Sequence, residues 1–392
     1  MDNSFATIGS FSDVPPASQQ AARLKFAILA NGLRLTSRAS DSVFGTNEGN
    51  KLKRPIRTRS GVSGGLDLRL SEDIFVNAPI LEPSAKASEF VLDSNEFGFS
   101  VSYKSEVLCA VEPLREPAFY SRQTRDGEDM ARIGQMCSPD RFCYGMTGPG
   151  CSFWPAKERC RYCSIGLNAV SDASRKREDQ LYEVLEASLA DDQWPARHVL
   201  LGGGTPEGSD MGAVLAARLC RGIKKKLDIP IYVMIVAPLE DQYIDLLYDA
   251  GVDELGMNLE FWSDEAWGLY IPGKKERVGK ERFLKALEYA FTRFGPVRTR
   301  SILIAGLERA ADTMVGVTTL ANMGVMPILS PFRPLAGTAL ENVKGFEAEV
   351  YIDLYEEAKS ICDRAGVPVG PTCIYCQNNT LALPFGAQYR RY

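Results

Sequence analysis

Cys151, Cys160 and Cys163 stand in the run Cys-Ser-Phe-Trp-Pro-Ala-Lys-Glu-Arg-Cys-Arg-Tyr-Cys, just ahead of a long region in which strand-like and helix-like patterns alternate. Three thiolates this close can bind three irons of a [4Fe-4S] cube and leave the fourth open to a substrate or cosubstrate. A Cys-x2-Cys pair also suits tetrahedral zinc. Two runs downstream favour the cluster: Gly202-Gly203-Gly204-Thr205-Pro206 and Gly256-Met257-Asn258-Leu259-Glu260, each at the predicted end of a strand. The three glycines let backbone N–H and C=O groups approach a ligand with no Cβ in the way. No Gly-Lys-Ser or Gly-Lys-Thr follows them, which disfavours a phosphate-binding P-loop. Asn258 and Glu260, two apart on a strand, project to the same side, as do Arg298 and Arg300.

With Tyr162 between the last two cysteines, these runs resemble the radical S-adenosylmethionine (SAM) superfamily, most closely its branch around biotin synthase. Thr205-Pro206 matches the Gly-Gly-Gly-Thr-Pro version found in oxygen-independent coproporphyrinogen oxidases. The resemblance covers about residues 140 to 365. It implies that Cys151, Cys160 and Cys163 ligate three irons while SAM chelates the fourth. It places Tyr162 against the adenine, Gly202, Gly203, Gly204 and Thr205 at the methionine end, and Asn258 and Glu260 at the ribose or amino-acid end. Arg300 is assigned to the SAM carboxylate as a charge-assisted pair. The cysteine spacing departs from the superfamily's usual Cys-x3-Cys-x2-Cys, being eight residues and then two. Phe153, Trp154 and Pro155 are expected to stiffen the longer arc, and Cys143 is the alternative first ligand.

The activity so implied is reductive cleavage of SAM to a 5′-deoxyadenosyl radical that abstracts hydrogen from a small-molecule substrate, with reduced flavodoxin or ferredoxin as electron donor. The cofactors carry the difficult chemistry, and the protein supplies geometry and a dry site. Two alternatives stay open. One is modification of a peptide or protein by an enzyme with an auxiliary cluster, the peptide docking on a strand edge within residues 60 to 115. The other is an iron-sulfur scaffold or electron-transfer protein, which would need neither the glycine run nor Asn258 and Glu260.

Composition narrows the field. Lys+Arg 45 against Asp+Glu 50 leaves a net charge of −5, so no global basic field recruits nucleic acid. Lys224-Lys225-Lys226 and Lys274-Lys275 read as polar ends of surface helices. Ten cysteines, several clustered, point to metal chemistry in a reducing, cytoplasmic setting rather than to disulfides. Met1-Asp2-Asn3-Ser4 lacks a basic region followed by an apolar stretch, and the apolar run from Leu24 to Leu35 is too short to span a bilayer. The single histidine, His198, rules out His-rich metal sites and reads as a structural residue at a strand start.

These motifs require a scaffold that presents strand ends together. After Cys163 the pattern predicts helices over Leu181–Ala190, Met211–Leu227, Gln242–Ala250, Glu281–Phe294, Thr313–Met323 and Glu347–Ala365. Between them it predicts strands over His198–Leu201, Ile231–Ala237, Glu254–Leu259, Val297–Ala305 and Val325–Leu329. Such alternation implies parallel βαβ units and an α/β fold, a partial (β/α)6 TIM-type barrel with its chemistry at the C-terminal strand ends. Residues 118–366 form this barrel, with the cluster loop at 143–165. Residues 1–117 read as a β-rich accessory module, with a polar, Gly/Ser-rich stretch from Thr58 to Leu68. Residues 367–392 read as a tail folded over the barrel mouth. Its Cys373 and Cys376 could combine with Cys137 and Cys143 as a second metal site, either an auxiliary [4Fe-4S] cluster or zinc. Cys109, Cys220 and Cys362 read as core residues.

Overall fold

The computed structural model describes residues 9–45, 64–168 and 172–392. Its first sheet contains β1 (Arg34–Leu35), β2 (Leu66–Arg69), β3 (Phe75–Ala78), β4 (Phe90–Asn95), β5 (Gly98–Tyr103) and β6 (Glu106–Pro113), ordered β1-β4-β5-β6-β2-β3. The second contains β7 (Gln135–Ser138), β8 (Arg141–Gly145), β9 (His198–Gly202), β10 (Ile231–Ile235), β11 (Glu254–Met257), β12 (Thr299–Ala305) and β13 (Met326–Pro331), neighbours in chain order. From β8 to β13 every pairing is parallel; β7, at the edge, is antiparallel to β8.

The helices in chain order are α1 (Gln19–Asn31), α2 (Ser37–Phe44), α3 (Pro83–Lys86), α4 (Met130–Ile133), α5 (Glu178–Leu189), α6 (Ala213–Lys224), α7 (Gln242–Asp249), α8 (Asp264–Tyr270), α9 (Pro272–Arg277), α10 (Lys280–Phe294), α11 (Ala310–Asn322) and α12 (Ala348–Ala365). Helices α5, α6, α7, α10, α11 and α12 each lead back from one parallel strand, so six βα units form the partial barrel. The strands are covered on both faces: all five residues of β9 are buried, as are Ile231, Tyr232 and Val233 of β10. The helices bury one stripe each, as Ala213, Ala216, Ala217 and Cys220 do on α6.

The first parallel strand, β8, lies in what the sequence suggested was an irregular lead-in. Arg141-Phe-Cys-Tyr-Gly mixes charge, sulfur and aromatics, yet all five residues are buried. The β-rich reading of the N-terminal third accounts for the first sheet but omits α1. The apolar run beginning at Leu24 is a buried helix packed on α12 and β3, with Phe26 edge-on to Phe11 and Tyr355 at 5.1 and 5.7 Å. Of the Gly/Ser-rich stretch, residues 58–63 lie outside the described residues, and Leu66 to Leu68 belong to β2. Among the described residues no helix is long and apolar enough to cross a membrane.

The tail does not lie over the mouth. It runs along the open side of the barrel and beneath the N-terminal strand ends. Gly370 and Leu381 donate backbone hydrogen bonds to Pro327 and Leu329 of β13, and Asn378 donates to the Cys137 carbonyl of β7. Tyr392 bonds Glu254 at the start of β11 and stacks on His198 at the start of β9. Unpaired strand edges are what draws it there, since β13 and β7 leave backbone groups that need partners.

Lys25 of α1 clasps this tail. It is 1% exposed, and its Nζ donates to the carbonyls of Gln377 and Ala382 at 2.8 and 2.6 Å. Burial pulls its pKa down to about 7. Lys25→Met is expected to lose about 1–3 kcal/mol above pH 7 and to expose the tail to limited proteolysis, because the two hydrogen bonds of the neutral amine contribute about 0.5–1.5 kcal/mol each. Between pH 7 and 10.5 the unfolded chain binds a proton at Lys25 that the folded chain has released. Wild-type stability relative to the variant should therefore rise with pH across that window in urea titrations. A tail equally protected in both proteins would refute the clasp.

Candidate functional site

A cavity of about 220 Å³ opens among the C-terminal strand ends and reaches down the barrel interior. Cys151, Cys160, Cys163, Tyr162, Gly203, Gly204, Thr205, Asn258, Glu260 and Arg300 all line it. Gly202 does not. It ends β9 opposite Gly145, and its carbonyl accepts from Met146 N at 2.8 Å.

The thiols are placed by contacts on two sides of the cluster loop. On one side Ser152 N donates to the Thr205 carbonyl at 2.7 Å, and Thr205 N lies 3.4 Å from Cys151 Sγ. A Cβ on Gly204 would sit 1.9 Å from Gly150 O and 2.9 Å from Cys151 Cβ, so only glycine permits this approach. On the other side stand α8 and α9, two helices the sequence reading did not contain. Arg161 N donates to Tyr270 O and Gly273 N to Glu158 O, while Arg277 bonds Ser152 O and Glu158 and covers the Phe153 ring at 4.5 Å. In the long arc Phe153 is buried, Trp154 packs on Gly166, and the Pro155 carbonyl accepts from Glu158 N and Arg159 N.

Facing the thiols, Glu260 is buried with a φ of 65°, in the left-handed region. Its backbone is held there by Ile302 O and Ile304 N at 2.9 and 2.7 Å, and its carboxylate accepts from Lys274 Nζ at 2.8 Å. A non-glycine residue in that region stores roughly 1–3 kcal/mol, and such strain gathers at functional sites. Lys274 is 8% exposed, which overturns its reading as a surface lysine. Burial alone would lower its pKa, but the Glu260 carboxylate and the nearby thiols outweigh that and raise it. The lysine was hidden because Pro272-Gly273 breaks any helical pattern; Pro at the first helical position was the usable signal. Burial pushes the Cys160 thiol up to about 12 against the pull of Lys274. Tyr162 bonds Glu260, and burial together with that carboxylate raises its hydroxyl. Asn258 spends its Oδ1 on Ile302 N at 3.3 Å.

Arg300 is separated from this group. It sits level with Gly256, pairs with Glu254 at the start of β11, and lies 3.8 Å from the Tyr232 ring centroid. Its guanidinium is therefore engaged at the cavity floor, away from the cluster loop. Glu308 accepts from Trp262 N, Ser263 N and the Thr313 hydroxyl of α11, and so fixes the turn into α8. The four tail and β7–β8 thiols are not all within 4.8 Å of one another. Cys137 and Cys143 pack with Leu200 and Tyr232, Cys137 Sγ lying 3.0 Å from Arg141 Nε. Cys373 and Cys376 instead meet His198 and Asp140.

Residues 147–315 match the model of the radical SAM superfamily. Over that span the chain belongs to this superfamily, and it is a radical SAM enzyme. Membership implies SAM and an iron-sulfur cluster, a substrate and a reductant. The residues fit: three thiols, none in a disulfide, share one cavity wall. Among solved structures, methylornithine synthase PylB is similar at 15% identity over 59% of this chain and 71% of that one, with a TM-score of 0.42. SuiB from Streptococcus suis bound to S-adenosylmethionine shows 14% identity over 58% and 48%, at 0.40. The radical S-adenosylmethionine methyltransferase TsrM from Kitasatospora setae shows 14% over 64% and 47%, at 0.34. The chain spans about half the length of the SuiB and TsrM chains, and scores this low add nothing to the assignment. No curated protein matches the sequence.

Lys274→Met leaves the Glu260 carboxylate buried without its partner and is expected to destabilise the fold by about 3–5 kcal/mol. Lys274→Met combined with Glu260→Gln should recover most of that loss in urea unfolding, since the double change removes both charges. Additive losses would show that the pair is not coupled.

Proposed function

We propose that Cys151, Cys160 and Cys163 ligate the radical SAM cluster and that the cavity above them receives SAM and a small-molecule substrate. The observation that carries this reading is the convergence of the three thiols, Tyr162, the Gly203–Thr205 turn, Asn258 and Glu260 on one cavity within the superfamily-matching span. When bound, the cluster and SAM supply a 5′-deoxyadenosyl radical that abstracts hydrogen from the substrate, the electron coming from reduced flavodoxin or ferredoxin.

The chain's own residues bind and shield. Gly203 and Gly204 leave backbone open toward the methionine end of SAM, although Gly204 is already required by the approach of Gly150. The Tyr162 ring offers a flat apolar face. The Lys274–Glu260 pair sets a fixed positive and negative charge beside the thiols, suited to the amino-acid end of SAM. Arg300, committed to Glu254, serves the floor and the substrate side. Ile302, Ile304 and Ile328 give that side apolar walls, which favours a substrate with an apolar portion and excludes water from a radical. The peptide-modifying reading is less favoured, because Cys137 Sγ already lies against Arg141 and Cys143 packs with Leu200 and Tyr232.

Cys160→Ala tests the ligand set. Anaerobically reconstituted wild type should carry about four irons in this cluster, show a reduced EPR signal perturbed by SAM, and release 5′-deoxyadenosine. Cys160→Ala should lose all three together, and a variant that still cleaves SAM would remove Cys160 from the ligand set.

A further inference from the structure

We propose that Asp140, His198, Cys373 and Cys376 bind one zinc ion that fastens the C-terminal tail to the N-terminal end of the barrel. All four are buried and their donor atoms lie within 4.8 Å of one another. They come from three separate segments: the turn between β7 and β8, the first residue of β9, and the tail. His198 Nε2 is 3.3 Å from Asp140 Oδ1 and 3.4 Å from Cys376 Sγ, and Cys373 Sγ is 3.6 and 3.5 Å from Asp140 Oδ1 and Oδ2.

These separations match three of the six edges of a zinc tetrahedron. Metal bonds of about 2.0–2.1 Å to nitrogen and oxygen and about 2.3 Å to sulfur put N···O edges at about 3.3 Å and S···N or S···O edges at about 3.6 Å. Hydrogen bonding alone satisfies the cluster poorly. One ring nitrogen faces both a carboxylate oxygen and a sulfur, and that oxygen is also approached by Cys373 Sγ and by Ser138 Oγ at 3.0 Å. A cation at the centre satisfies every donor at once. The enclosed space holds one ion, not four irons and their sulfides, and a carboxylate with an imidazole replaces half of the thiolates that such a cluster takes. Four protein ligands leave no open position, which marks a structural rather than a catalytic site.

The surroundings suit such a centre. Two thiolates and one carboxylate on a divalent ion leave a single negative charge, and the buried Arg141 guanidinium acts on both Cys373 and Cys376. Ser138 Oγ contacts Cys376 Sγ at 3.4 Å, the Asp140 carbonyl accepts from Arg197 N at 2.7 Å, and the Tyr392 ring covers His198 with centroids 4.4 Å apart. Outer contacts of this kind orient the ligands of metal sites. Cys376 itself lines the cavity with Pro371, Asn379 and Thr380, so the ion would hold the floor of the site without touching its chemistry.

Wild-type protein from zinc-replete medium should contain about one zinc per chain by mass spectrometry, with zinc-edge absorption showing two sulfurs at about 2.3 Å and two N/O ligands at about 2.0–2.1 Å. Cys373→Ser/Cys376→Ser should lose the zinc yet keep the iron of the reconstituted cluster, and Cys160→Ala should do the reverse. The wild-type measurements decide the matter even if the double variant misfolds. The proposal is overturned if wild type holds no zinc and takes up no cobalt(II) with a tetrahedral thiolate spectrum. It is equally overturned if the edge spectrum lacks two sulfurs, or if about eight irons fall to about four in the double variant.

Discussion

The backbone of Gly204 rests against the backbone of Gly150, closer than any side chain allows, and the candidate site depends on that contact. The long excursion from β8 to α5 carries all three thiols but makes little regular structure of its own. Left to itself such a segment would sample many conformations, at an entropic cost of roughly 1–2 kcal/mol per fixed residue. The glycine approach lets Ser152 and Thr205 exchange a backbone hydrogen bond, which turns the end of β9 into an anchor. Tyr270, Gly273 and Arg277 close the loop from the opposite side. The same run that seemed suited to a ligand is thus first a packing device, and its openness toward the cavity comes from what the anchor leaves uncovered.

The electrostatics follow from that clamp. Because α9 is drawn under the loop by Gly273, Lys274 is carried into the interior and must find a counter-charge. Glu260 supplies it from a backbone conformation that most residues avoid. Neither partner would be tolerated alone at this depth, since an unpaired buried charge is far costlier than a paired one. A strained, paired carboxylate beside three thiols is poorly explained by stability, which apolar residues would serve as well. It fits the proposed function, in which fixed charges orient a charged cosubstrate.

Much of the barrel was legible because its strands and helices differ in period and length. His198–Leu201, Ile231–Ala237 and the helix from Gln242 reappear within a residue or two of the expected positions. What failed had physical causes. Strand β8 holds Arg141, whose charge is answered by the Cys137 sulfur across the β7–β8 turn and by Cys373 and Cys376 of the distant tail. Helix α1 lies in a segment judged by its strand-like neighbours, and α9 begins on Pro-Gly. The thiols, Tyr162, Asn258 and Glu260 were legible as motifs, whereas Lys274 was not, because its partner is fourteen positions away across a turn. Arg300 shares a strand face with cavity residues, but depth along that face is invisible to a period of two. The tail cysteines were read as thiols in search of thiols, when the partners that reach them are His198 and Asp140.

A six-unit arc leaves a problem that a closed barrel does not have, because β13 and β7 each keep one unpaired edge. Such edges invite association with other chains unless something covers them. Here the tail covers both: Gly370 and Leu381 bond β13, and Asn378 bonds β7 while its own carbonyl accepts from Asn77 of β3. A segment this short has no core of its own, so its hold depends on point attachments. Lys25 grips two of its carbonyls, and Cys373 and Cys376 reach the barrel's underside. The cavity therefore has two walls of different origin. The upper one is set by strand ends and the cluster loop, and the lower one is set by how firmly the last residues are tied, so edge protection and the shape of the substrate space are met by the same stretch of chain.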